Sequence, residues 1–395
     1  MTLGEKSGVP SINVVGNRCC GCGACAASCP VSCLIMEPDS LGFVHPIDTG
    51  CCVSCGKCAK VCPVLTIGKE DQVISAFWAK AKDNKLRNHS SSGAVFGLLA
   101  RDVLGKAGAV YGAAFSEGCR RVKHIRISSE DKLDAVLRSK YVQSSVGFDV
   151  YKGVENDLKE GRRVLFTGTA CQNVGLYNYL SSEKVPMDNL LLVEIFCHGV
   201  PSPKLWSKWL DYTSYNVRAK IDGVNFRSKS TGWTTYSVVY YAGMEKAKSE
   251  VGSHDWYMKA FLQNASLRES CFNCPSKRSC GSDLTLGDFW GIQDIHPEVV
   301  DSLGVSAVIC NTKKGVTAFQ SICNYLNAGP VALEDIVRTN PSLVHSAKPY
   351  IKRDSFLTDI ANDVAIENLI HKWDFKPSWN QRVRNKLLEL KRRFE

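Results

Sequence analysis

At 395 residues the chain is longer than one typical domain and predicts two or three. A hydrophobic fraction of 44% against 22% charged excludes extensive disorder. The net charge of +10 suits an acidic partner or an anionic ligand, but no basic block interleaved with aromatics accompanies it, which sets nucleic acid aside. The longest apolar runs, such as LLLVEIF at 190–196, fall well short of the about 20 residues a spanning helix requires. The N-terminal MTLGEKSGVPSINVV has no apolar stretch leading to a cleavage site, so the expected location is the cytoplasm.

In chain order, the first feature is the cysteines. Of 19 in all, eleven crowd into residues 19–62: Cys19, Cys20, Cys22, Cys25, Cys29, Cys33, Cys51, Cys52, Cys55, Cys58 and Cys62. A disulfide scaffold needs an oxidising context that nothing here supports, so metal binding is the better account. CCGCGACAASCP at 19–30 recurs as CVSCGKCAKVCP at 52–63, each ligand-spaced cysteine displaced by 33 residues. Each half reads C-x2-C-x2-C-x3-C-P, in which three close thiolates wrap one face of an iron-sulfur cube and the fourth reaches the other cube. The spacing assigns Cys19, Cys22, Cys25 and Cys62 to one 4Fe-4S cluster, and Cys52, Cys55, Cys58 and Cys29 to a second. Four-thiolate zinc has no need of the third close cysteine or the trailing proline. Residues 1–68 are thus expected to form a bacterial-type two-cluster ferredoxin domain. Cys20, Cys33 and Cys51 stand out of register and read as small packed hydrophobes.

After the charged linker Lys69-Glu70-Asp71 cysteine becomes sparse, and strands alternate with amphipathic helices. The expected class is mixed, α+β or α/β, with α/β regions over 72–155 and 156–335 and a basic helical tail over 336–395. Ser91 and Ser92 predict an N-cap before the apolar face of GAVFGLL. Arg163–Gly168 predicts a buried strand turning at Gly168-Thr169 into a helix, and 190–197 another strand, which puts Cys171 and Cys197 at strand ends where α/β folds bind ligands. Residues 219–241, with alternating WTTYSVVYY, predict further strands. Cys271 and Cys274 form a CxxC, and with Cys171 and Cys197 they make four thiols that only folding can gather, with Cys280 as a substitute for one of them. Asp288-Phe289-Trp290-Gly291 lacks the other kinase segments, which sets phosphoryl transfer aside. In the tail, Val383, Leu387, Leu390 and Phe394 share one helical face ringed by Arg and Lys, which predicts docking on the protein body and leaves contact with an anionic membrane surface as the alternative.

Seven ordered segments, SSSGAVF (90–96), RSKYVQS (138–144), VLFTGTACQ (164–172), FCHGVPSP (196–203), FRSKSTGW (226–233), LRESCFNC (267–274) and LTLGDFWGI (284–292), resemble the coenzyme F-420 hydrogenase/dehydrogenase beta-subunit family and its relative 7-hydroxymethyl chlorophyll a reductase. The resemblance implies a flavin-binding α/β domain with FAD near Ser91, Ser92, Gly93, Lys140, Tyr141, Gln143 and Ser144, and a third 4Fe-4S cluster on Cys171, Cys197, Cys271 and Cys274. Ala94 departs from the family's usual second Gly, and Ala170 from a common Pro. The implied activity is an oxidoreductase that passes electrons between a carrier, ferredoxin-like or deazaflavin, and a substrate. Some bacterial members lie in polysaccharide gene neighbourhoods. The expected partners are an acidic carrier such as ferredoxin or flavodoxin, or a partner redox subunit. The alternative is a non-catalytic electron-transfer subunit. His198 and Asp288 lie in signature loops, but no catalytic acid or base is assigned.

Overall fold

The structure is a computed structural model, and residues 12–68 and 70–375 are described. The amphipathic face expected at Val383, Leu387, Leu390 and Phe394 lies outside them.

Both copies of the cysteine repeat fold alike. Gly23 and Gly56 adopt left-handed conformations, φ 83° and 71°, and turn the chain into the one-turn helices Ala24–Ala27 and Lys57–Lys60. A side chain with a Cβ is disfavoured there, which accounts for glycine at both positions. Between the copies, β1 (Leu34–Pro38) and β2 (Val44–Asp48) pair antiparallel. Their connection is closed by Asp39, whose carboxylate accepts the backbone N–H groups of Leu41 and Phe43.

The remainder is built on a nine-stranded mixed sheet. In chain order its strands are β3 (Ser75–Ala81), β4 (Ala109–Ser116), β5 (Arg121–Ile127), β6 (Ser144–Ser145), β7 (Val164–Gly168) and β8 (Leu190–Ile195). A separate antiparallel sheet, β9 (Gly223–Ser228), β10 (Ser237–Ala242) and β11 (Glu245–Val251), interrupts the series before β12 (Leu284–Asp288), β13 (Ser306–Cys310) and β14 (Leu326–Pro330) complete the large one. The spatial order of the large sheet is β14-β3-β13-β12-β8-β7-β4-β5-β6, and the stretch β12, β8, β7 and β4 is parallel. Segments 72–155 and 156–335 both contribute strands to it, so they share one sheet.

Strands β7 and β8 are buried on both faces, as central parallel strands are. Leu165, Leu191 and Val193 enter one core, with Leu98, Leu99 and Val103 of the helix Val95–Gly105. Val164, Phe166, Leu190 and Leu192 enter another, with Leu176 and Leu180 of the helix Ala170–Ser182. Each such side chain contributes about 2 kcal/mol by leaving water. A third core, under the small sheet, holds Trp206, Trp209, Phe226 and Tyr240.

Two local expectations are corrected. The helix after Ser91 and Ser92 is capped by Ala94, which sits at φ 69° without a side-chain cap bond. The serine hydroxyls instead bond Ser139 and Ser306 across the fold. In the predicted strand region, residues 233–236 are not extended pairing: Trp233 turns inward, stacks on Trp290 at 5.0 Å and donates its Nε1–H to Asp288, so the strand begins only at Ser237. Among the described residues no helix is long and apolar enough to cross a membrane.

Candidate functional site

The N-terminal thiols lie near one another across the two repeats. Cys25 lies among Cys19, Cys58 and Cys62; burial, then the charges of these thiols, push it up. Cys22 follows the turn at Gly21 and is close enough to Cys25 for their charges to interact. Cys58 lies by Cys55 and Cys52. Cys29 is 3.5 Å from Cys33, which in turn feels Cys51 and Cys52. In the first repeat Cys22 and Cys25 are buried and Cys19, Cys20 and Cys29 half-buried, whereas Cys51, Cys52, Val53 and Cys55 are exposed.

A cavity of about 600 Å³ opens where β7, β8 and β12 end. Ligands of open α/β sheets bind at such carboxyl ends, because the loops there diverge. Cys171, Cys197, Cys271 and Cys274 all line it. Cys171 stands in the first turn of the helix Ala170–Ser182, whose start is held by a reciprocal capping box between Thr169 and Gln172. Cys197 follows β8. Cys271 lies in the short turn Glu269–Asn273, and its sulfur accepts the Val200 N–H at 3.4 Å. Gly199 allows that approach, since a Cβ there would meet Leu267 at 2.7 Å and Cys271 at 3.4 Å. Burial raises the Cys197 thiol to about 12, with Cys171 and Cys274 adding to it. Clustered thiols with a backbone N–H on sulfur are a donor set that fits a 4Fe-4S cube. Cys280 is not with them. It lies buried beside Asp71 and Ser282.

Ser91, Ser92, Lys140, Tyr141, Gln143 and Ser144 also line the cavity; Gly93 does not. Gly93 is wedged between strands, where a Cβ would meet the Ala79 carbonyl at 2.1 Å. Lys140 donates to the carbonyls of Leu137 and Arg138, and burial lowers it to about 7. The hydroxyl of Tyr141 accepts from Arg227. Gln143 donates to the Cys20 carbonyl and Ser144 accepts from Gln172, so both tie the wall together. The cavity's size and its apolar wall with a few polar groups fit a flavin-sized ligand. Asp288 is engaged by Arg227 at 2.8 Å and by Trp233 at 3.0 Å. His198 bonds Asn264 and packs edge-on against Phe261, and burial keeps it neutral at pH 7.

Sequence reasoning missed three residues. Arg268, 2% exposed, donates to the carbonyls of Cys19 and Val44 and to Gln143, fastening the first repeat to the cavity wall. Its place three residues before Cys271, in the resembling segment LRESCFNC, was the available signal. Cys20 brings its thiol within hydrogen-bonding reach of Cys22 and Cys171. Gly175, one turn after Cys171, lets Cys22 close in: a Cβ there would lie 3.1 Å from its sulfur.

No curated protein matches the chain. Among solved structures, a chain of the F420-reducing [NiFe] hydrogenase complex from Methanosarcina barkeri matches with 14% identity and a TM-score of 0.47, covering 77% of this chain and 93% of that one. Residues 161–337 match the family model for the C terminus of the coenzyme F420 hydrogenase/dehydrogenase beta subunit. That stretch, just under half of the chain, carries Cys171, Cys197, Cys271 and Cys274, and there the chain is similar to the coenzyme F420 hydrogenase/dehydrogenase beta subunit.

Proposed function

We propose that the chain is an iron-sulfur oxidoreductase that passes electrons between a protein carrier and a molecule bound in the cavity. One observation carries the reading: four cysteines from three separated segments line the same cavity as Ser91, Ser92 and Lys140. The family description, a hydrogenase or dehydrogenase beta subunit, supports a redox role.

In this reading residues 1–68 are a ferredoxin-like domain. Cys19, Cys22, Cys25 and Cys62 hold one 4Fe-4S cluster, Cys52, Cys55, Cys58 and Cys29 a second, and Cys171, Cys197, Cys271 and Cys274 a third. FAD is the group proposed for the cavity, with Ser91, Ser92, Lys140, Tyr141, Gln143 and Ser144 along it and Gly93 packing behind them. A bound flavin supplies the exchange between one-electron and two-electron chemistry. The chain's own part is to keep the site apolar, to offer the Lys140 ammonium to an anionic group, and to hold the thiols apart from water. The exposed face of Cys51, Cys52 and Cys55 is where a partner redox subunit, or an acidic carrier such as ferredoxin or flavodoxin, meets the chain, and the net charge of +10 favours such a partner. That exposed face also supports the second reading, an electron-transfer subunit with no substrate of its own.

Anaerobic purification with iron, acid-labile sulfide and flavin quantification separates these. The proposed enzyme carries about twelve irons per chain, three cubes of four, together with FAD, and reduces an artificial acceptor. Iron without flavin or turnover supports the relay subunit, and zinc in place of iron overturns both.

A further inference from the structure

Two carboxyl groups that play no part in the thiol chemistry meet at the cavity wall, Glu194 on the cavity side and Asp71 behind it. Glu194, near the end of β8, lines the cavity, and Asp71 reaches the same point from the segment preceding β3. Their oxygens and the Cys280 sulfur lie within 4.8 Å of one another, and all three residues are buried. The two carboxyls differ in what surrounds them. Asp71 accepts the Gly281 N–H at 2.8 Å and the Cys280 thiol at 3.7 Å, and Arg278 stands 4.0 Å away. Glu194 accepts the Thr285 hydroxyl at 2.9 Å and shares the Cys280 thiol, whereas Asp71 has the Gly281 and Cys280 N–H groups as well. The cation whose charge acts on Glu194, Lys277, donates to the carbonyls of Cys197 and Ser342.

Two carboxylates this close, with water excluded, do not both ionise at neutral pH. The greater number of donors around Asp71, and its proximity to Arg278, favour the charge there and the proton on Glu194. Burial first, and then the charge of Asp71, push Glu194 up to about 7. Burial raises Asp71 as well, against the pull of Gly281 and Arg278.

We propose that Asp71 and Glu194 hold one proton between them and that Glu194 presents it to the acceptor bound in the cavity. The second half of this rests on the function proposed above. In the step, the Glu194 O–H bond breaks and the proton passes to a basic nitrogen or oxygen of the acceptor as it is reduced. The electrons come from the external protein carrier, and the carboxylate left behind recovers its proton from water after release. Only the neutral form of Glu194 serves, so the rate holds below its pKa and is lost as pH rises through about 7.

Infrared spectroscopy of the full-length protein tests the shared proton whatever cofactors are bound. A protonated-carboxyl band is expected on the acid side of neutrality, titrating out near pH 7, absent from Glu194→Gln and moved to lower pH in Asp71→Asn, because removing the neighbouring charge lets Glu194 ionise more easily. A band that survives in Glu194→Gln, or a titration indifferent to Asp71→Asn, overturns the sharing. For the donor role, acceptor reduction by Glu194→Gln is expected to slow by about 100-fold and to lose its alkaline limb. An unchanged rate and limb overturn it. Protein that lacks iron and flavin sinks the proposed function instead, and the infrared result then stands by itself.

Discussion

The Arg268 guanidinium spends its hydrogen bonds on backbone carbonyls and an amide belonging to three other segments, so its charge is buried for the sake of docking the first cysteine repeat. Arg268→Met keeps most of the bulk but leaves those acceptors without a donor. The expected cost is about 3 kcal/mol, since bonds to a charged donor weigh more than neutral ones and each abandoned buried acceptor adds its own penalty. The loss is read as a lower Tm together with faster protease cleavage within residues 12–68. Unchanged cleavage would show that the repeat is held by other contacts.

At the scale of elements, the helix Val95–Gly105 shows a local preference overruled by packing. Two serines upstream offered a cap, yet Ala94 starts the helix in a left-handed conformation that costs an L-residue about 1–2 kcal/mol. The cost is accepted because Gly93 must pass tightly against Ala79 and Ser306, which leaves the chain no room to start the helix earlier. Ala94→Gly relieves the strain and loosens the unfolded chain, two effects of opposite sign and similar size. The expected result is a Tm equal to or above that of the parent, measured by calorimetry, and a clear fall would show that the methyl group packs usefully. The strand at 237–242 formed within the β-branched and aromatic run, whereas residues 233–236 did not join it, because the indole of Trp233 had a stacking partner and an acceptor in the core. Periodicity reports which side chains are apolar, and it cannot report a long-range partner that bends the chain.

For the molecule as a whole, acid should unfold it through carboxylates that are paired only in the folded state. Burial opposes ionisation of Glu155, but donors from Lys159, Tyr179 and Lys152 pull it down to about 2. Asp301 is likewise brought to about 2, against its burial, by Arg87 and Lys80. An unfolded carboxylate titrates near 4. Both folded values lie below that, so their contribution is present above about pH 4 and is lost as pH falls towards 2. Denaturant unfolding is expected to show stability declining across that window, with a shallower decline in Glu155→Gln. An identical slope in that variant would remove Glu155 from the account.

The strand and helix around Cys171 and the strand leading to Cys197 were legible along the chain, because buried runs and turn signals are local properties. So was the matched cysteine repeat, whose ligand spacing is a few residues and belongs to the chain before it folds. What only the tertiary structure decided is which distant groups become neighbours. Closure of the parallel strands β7, β8 and β12 brings Cys171, Cys197, Cys271 and Cys274 to one cavity, sends Cys280 elsewhere, and sets Asp71 against Glu194. The reason is physical: sequence spacing governs contacts within a turn or two, while the meeting of residues a hundred or more positions apart depends on how the sheet orders its strands and where their ends open.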